Sequence, residues 1–349
     1  MNMAFMDRSD VSPAESVEDY LDTCVAAGLR GATVSVKRCT LGQFLRWAEA
    51  QDITTMSQVT TRVSTKFLKF LIETPSVKTG ATRSLVTVKC AARIIKTWLG
   101  WAYRNHQFDS ERLRDYVIPK CDDSAVYMAT IEDVQTILQI NDDFWDIAKH
   151  PEIKFWPERS HRFFRLRLRA MIAIEVSVGL RGGELLAAQT EDYTRGVEPQ
   201  IKVRKTKGRK ERSVPVSRYL TPLIEEWLRV RPKRSVANNI IVTETGTEMS
   251  RAGATRQFKR LLDWGREHGY PTLPHITMHS LRHQALNAML QVSPEHARKL
   301  GGHAKLASLG RYEHTVDKSV RSTHAAVDPL MMVLGKAAAC KPRVKKVFV

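Results

Sequence analysis

The sequence predicts a mainly α protein with a small antiparallel β-sheet, in which a helical amino-terminal domain is joined to an α+β carboxy-terminal domain. Three observations carry this expectation. Apolar residues recur at helical spacing through most of the chain. The period changes to two over IKVRK, TKGRK and ERSVPV, which read as a β-hairpin. Between residues 109 and 128 any period is lost around Pro119 and a polar CDDS stretch, the signature of a linker. The 349 residues suffice for two domains with sizeable cores.

Residues 1–13 read as an extension, and residues 14–108 as a bundle of four helices: SVEDYLDTCVAAGL, TVSVKRCTLGQFLRWAEAQ, TRVSTKFLKFLIET and TRSLVTVKCAARIIKTWLGWAYRNH. Gly28, Gly31, Pro75 and Gly80 punctuate them. Lys66, Lys69, Lys78, Arg83, Lys89, Arg93 and Lys96 interleave with the apolar stripe, so one face can lie along phosphates or simply be solvated. The second domain, 129–335, opens with a helix at Thr130, where Asp133 completes a capping box. Residues 141–162 lack a clear period and read as an inserted loop, followed by an apolar helix over 163–178 that Gly179 ends.

Beyond that helix, GLRGGEL places Arg181 at a buried turn, where a guanidinium needs an anion or a carboxylate; Glu184 can supply the latter. The hairpin tip carries Lys205, Lys207, Arg209 and Lys210. A third short strand (240–243) and a helix from Arg251 lead to HSLRH, where helical spacing puts His279 and Arg282 on one face. Ser293 and Pro294 start a short helix that Gly301 and Gly302 close, presenting His303; Tyr312 follows in RYEH. The run from 317 to 335 reads as helical, and 336–349 as a basic tail.

The charge balance indicates the partner. With 55 Lys and Arg against 37 Asp and Glu, the net charge is +18 and the pI about 9.8. An excess spread along the chain points to nucleic acid. A membrane partner is disfavoured, because the basic residues do not collect on one amphipathic helix and no lipidation motif occurs. The amino terminus has no signal-peptide core, and AMIAIEVSVGL, the most apolar stretch, is interrupted by Glu175. We therefore expect a cytoplasmic, nucleoid-associated bacterial protein. Five cysteines form no CxxC or Cys/His cluster, so neither disulfides nor zinc are expected, and the chemistry is expected to need no metal or other cofactor.

Taken together, GLRGGEL, KGRKERSVPV, HSLRH, LGGH and RYEH resemble, in order and spacing, the motifs of the tyrosine recombinases, the phage and transposon integrases. The resemblance spans residues 14 to about 330 and is strongest over 130–330. It implies a helical core-binding (SAM-like) DNA-binding domain over 14–108 and a catalytic domain over 129–335, forming a C-shaped clamp on double-stranded DNA. It also implies a site of Arg181, Lys207, His279, Arg282 and His303 around a scissile phosphodiester, with Tyr312 as nucleophile and Glu184 orienting Arg181. The tyrosine would form a 3'-phosphotyrosyl bond and release a 5'-hydroxyl, and strands would be rejoined without metal or ATP. Lys207 is preferred to Lys205 because the family's lysine lies eight residues before the hairpin proline, here Pro215. Lys205, Arg209, Lys210, Lys89 and Arg93 are the further DNA contacts expected. The 317–335 run matches the place where relatives dock a helix on a neighbour, implying a homo-tetramer on two paired sites, with accessory proteins possible; it can equally pack on its own domain.

The residues suit that chemistry. Two guanidiniums bind nonbridging oxygens through paired hydrogen bonds that strengthen in the transition state. A phenol needs a proton acceptor, for which His279 serves, with His303 donating to the phosphate, while an ammonium whose pKa falls on desolvation can protonate the leaving oxygen. The expected function is site-specific recombination for integration, excision or transposition of a mobile element. The alternatives are a DNA-binding protein with the fold but not the chemistry, and a type IB topoisomerase. No RNA-recognition signature occurs.

Overall fold

A computed structural model describes residues 11–76, 80–107, 115–120, 127, 129–204, 211–302, 323–324 and 326–339. The chain divides into two compact units, 1–125 and 126–349.

The first unit contains α1 (Pro13–Ala26), α2 (Gly31–Glu49), α3 (Thr61–Glu73) and α4 (Leu85–Arg104). Side-chain oxygens of Ser12, Thr60 and Ser84 cap α1, α3 and α4 by accepting from backbone N–H groups. Gly31 begins α2 rather than separating helices, and it is Gly28, at φ +71°, that turns the chain. Phe44, Phe67 and Trp98 meet edge to face in the core. Trp98 Nε1 donates to Ser16 Oγ, which donates to Gln107, so these three buried polar groups are paired. Tyr116, inside the stretch expected to be linker, is buried in this core and donates its hydroxyl to Ala92 O at 2.9 Å.

In the second unit the central element is α6 (Glu158–Val178), buried on nearly every face from Leu166 onward. It packs against α8 (Leu220–Val230) and α10 (Met278–Leu290), while α5 (Ile131–Phe144) packs against α9 (Arg251–Glu267) and α12 (Pro329–Ala339). The capping box of Thr130 and Asp133 starts α5 as expected. The short helices α7 (Gly182–Ala187) and α11 (Pro294–Gly301) follow the turns after α6 and α10.

Two expectations are corrected. The 141–162 segment is not an irregular loop: α5 runs to Phe144, a 3-10 helix covers Pro151–Phe155, and α6 starts at Glu158. His150 and His161 bond the carbonyls of Phe144 and Ile153 among packed aromatic rings, so tertiary contacts that leave no period in the sequence order this stretch. The third strand is also elsewhere. The sheet is β1 (Tyr193–Thr194), β2 (Gln200–Val203) and β3 (Arg212–Pro215), antiparallel in that order, with Ile201 opposite both Tyr193 and Val214. Residues 240–242 lie fully buried; Ile240 N–H donates to Ala188 O and Val242 makes an isolated bridge to Glu248. A short apolar run signals burial without specifying its backbone partner.

Within the same chain α12 docks on α5, with Leu330 and Val333 in the core and Gln135 Nε2 donating to Val333 O at 3.1 Å. No described helix is long and apolar enough to cross a membrane.

Candidate active site

The site is built where α6 ends. Gly179 adopts the left-handed conformation, φ +61°, closing α6 with its N–H on Glu175 O. The reversal sets Arg181 at the start of α7. Glu184 Oε2 accepts the Arg181 N–H at 3.0 Å, and its Oε1 accepts from Arg181 Nη1 at 2.9 Å. The same carboxylate takes both arms of Arg212 from β3, at 3.1 and 2.8 Å. One buried carboxylate therefore orients two guanidiniums. Burial pushes the Glu184 carboxyl up, but the hydrogen bonds and charge of Arg212 and Arg181 outweigh it and hold the group below the usual range.

Arg282 comes from α10, which Thr277 caps by accepting from the Ser280 N–H. Its side chain is buried and donates to Gly179 O and, at 2.7 Å, to Gly301 O. Arg181 Nη2 donates to Gly302 O at 3.1 Å, and Arg212 Nε to Leu300 O at 3.0 Å. Three successive carbonyls at the end of α11 are thus each taken by a different arginine. Helix ends leave such carbonyls unpaired and favour cations, so the sequence places cationic donors where the backbone needs them. Gly302, at φ +60°, completes the turn; a Cβ there would lie 3.0 Å from Arg212 Nη1 and 3.2 Å from Arg181 Nη1.

His279, one turn before Arg282, stands with its ring centroid 4.4 Å from that of His283, edge to face. Burial, then the positive charge of His283, Arg282, Arg251 and Arg181, holds its pKa below the ordinary imidazole value. It is consequently neutral at pH 7 and able to accept a proton. Burial and the neighbouring Arg181 bring Arg282 down to about 10, which leaves it charged. The arrangement offers concentrated positive charge and a neutral base to an anionic group.

Among the sequence-predicted residues, Arg181, Glu184, His279 and Arg282 come together here. Lys205, Lys207, Arg209, Lys210, His303 and Tyr312 lie outside the described residues. Lys89 and Arg93 sit one turn apart on α4, in the other unit, Lys89 half-buried and Arg93 exposed. Arg212 was not anticipated. Strand alternation offers the missing signal: in ERSVPV, Arg212 shares a face with buried Val214, and an inward arginine needs a partner. Among the described residues no three His, Cys, Asp or Glu side chains gather as a metal site requires.

Comparison with known proteins identifies relatives of the chain. The model of the phage integrase family matches residues 155–319. Tyrosine recombinase XerC 2 of Ralstonia nicotianae is 26% identical over 321 residues, 90% of this chain and 85% of that protein. Tyrosine recombinase XerC of Haemophilus influenzae is 33% identical over 155 residues, 43% of this chain and 49% of that one. The fold is that of a lambda integrase(75-356) dimer bound to a COC' core site, at a TM-score of 0.62 and 15% identity, covering 87% of this chain and 100% of that one. XerH site-specific recombinase bound to palindromic difH substrate aligns at a TM-score of 0.56 and 20% identity, over 94% and 84%. On these matches the chain resembles the tyrosine recombinases of the phage integrase family, whose model covers residues 155–319.

Proposed function

We propose that the protein is a site-specific DNA recombinase that cleaves through a 3'-phosphotyrosyl intermediate on Tyr312, with Arg181, Arg282 and His279 acting on the scissile phosphodiester. The observation that carries this reading is the convergence of Arg181 and Arg282 on the end of α11, immediately before the segment bearing His303 and Tyr312, with neutral His279 within their electrostatic reach. The guanidiniums bind nonbridging oxygens as negative charge spreads over them; Glu184 and the Gly302 carbonyl set Arg181 beforehand, and the Gly179 and Gly301 carbonyls set Arg282. His279 takes the phenolic proton and His303 donates to the phosphate. Lys207 protonates the leaving 5'-oxygen, which later attacks the partner strand's adduct.

The helical unit is the DNA-binding module, and Lys205, Arg209, Lys210, Lys89 and Arg93 contact the backbone. The working form is a homo-tetramer on two paired sites, serving integration, excision or transposition of a mobile element. A lambda integrase tetramer bound to a Holliday junction shares the fold, at a TM-score of 0.62, 14% identity and coverage of 87% and 81%.

The test uses a duplex selected from random sequence by the protein itself, nicked near the cleavage point so that the freed fragment diffuses away. Denaturing gels should reveal a protein–DNA adduct with the wild type and none with Tyr312→Phe. An adduct that persists in Tyr312→Phe would displace Tyr312 as nucleophile. Relaxation of supercoils by a monomer, without recombination between two sites, would favour a type IB topoisomerase.

A further inference from the structure

Glu175 has no part in the chemistry above, yet it lies behind the site. It is 1% exposed on α6, and neither carboxyl oxygen has a hydrogen-bond partner among the described residues. The surrounding elements hold it closely: a Cβ on Gly182, the first residue of α7, would come 3.9 Å from Glu175 Oε1. The charged groups acting on it are Arg282 from α10, Glu184 from α7 and Arg251 from the start of α9. Arg251 and Arg282 also act on His279, so Glu175 shares one electrostatic neighbourhood with the proposed machinery. An unpartnered buried polar group is costly, and an apolar side chain would fill the same space without that cost. A carboxyl at this position therefore has a consequence that packing does not explain.

That consequence follows from charge. Burial far from water disfavours the carboxylate and raises its pKa well above the usual range, so the neutral acid is the form that the buried position favours. In that state the positive charge of Arg282 is not cancelled from behind. Were the proton lost, the carboxylate would offset the Arg282 charge and repel an incoming phosphodiester.

We propose that Glu175 is a positioning residue whose proton sets the charge that Arg282 presents to the DNA phosphate, so that phosphate binding at alkaline pH is accompanied by uptake of one proton from solvent onto Glu175. This rests on the phosphodiester reading of the site. The step is a protonation only: the carboxylate gains a proton as the anion arrives, and no other bond changes.

The experiment measures equilibrium affinity of the full chain for its selected duplex, in a Tyr312→Phe background so that no cleavage intervenes, from about pH 7 to about pH 9.5, the range in which buried glutamates ionise. Each protein serves as its own reference. With Glu175 present, affinity should fall across this range by roughly tenfold more than in Glu175→Gln or Glu175→Met, neither of which titrates. Two replacements are used so that a folding defect in one, read by circular dichroism, leaves the other to decide. Parallel pH profiles in a folded variant would overturn the proposal. Absence of DNA binding by every protein at every pH would instead overturn the functional reading on which it rests.

Discussion

Arg212 grips Glu184 with both arms of its guanidinium, Nη1 at 3.1 Å from Oε1 and Nη2 at 2.8 Å from Oε2, and the pair is nearly closed to solvent. Through it the β-hairpin is tied to the turn that carries Arg181. Removing one member of a buried ion pair strands the other, so Glu184→Gln should destabilise the protein by about 3 kcal/mol in urea denaturation.

The same pair gives the stability a defined pH dependence. The folded Glu184 carboxyl is held below its unfolded value, so its contribution is complete above the ordinary glutamate pKa of about 4.3 and is lost as pH falls through the lower, folded value. Urea midpoints measured at falling pH should show this acid limb in the wild type and a shallower one in Glu184→Gln. Equal limbs would mean that another carboxylate governs it.

Gly302→Ala combines two costs. The left-handed backbone disfavours a Cβ by about 1 kcal/mol, and the new methyl meets the guanidiniums of Arg212 and Arg181. Gly28→Ala, at φ +71° with nothing within 4 Å, isolates the first cost. Gly28→Ala should lose roughly 1 kcal/mol of stability and Gly302→Ala more than that. Adduct formation on the nicked duplex should drop only in Gly302→Ala, and an equal drop in both would mean that the methyl does not disturb the arginines.

A neutral His279 extends proton acceptance toward acid. Because its pKa is held below the ordinary imidazole value of about 6.5, the acid limb of the adduct-forming rate should be centred below that pH. His279→Gln should remove that limb along with most of the rate. A limb centred above about pH 6.5 would exclude His279 as the acceptor.

The net charge of +18 predicts a steep salt dependence of DNA binding. For six or more phosphate contacts, affinity should fall by about 10³ or more between about 50 and 200 mM salt. Lys89→Ala and Arg93→Ala should each reduce the slope of log affinity against log salt by about 1 if this face of α4 lies on DNA. Unchanged slopes would place that face elsewhere.

The sequence alone determined the elements whose causes are local. Thr130 and Ser293 announce helix starts through side-chain caps, Gly179 and Gly302 announce stops, and the two-residue period marks the β2–β3 hairpin. It also determined which residue types have to meet, since His279 and Arg282 share a helical face and Glu184 stands one turn from Arg181. Only the tertiary structure decided what those groups meet. The assignment of Leu300, Gly301 and Gly302 carbonyls to three different arginines joins residues 19 to 121 positions apart, and the inward turn of Arg212 depends on a partner in another element. Burial decided the rest: it ordered 141–162, kept 240–242 out of the sheet, and left Glu175 without a hydrogen-bond partner among the described residues. Caps and periods act over a single turn of chain, whereas desolvation and charge depend on everything that folding brings within reach.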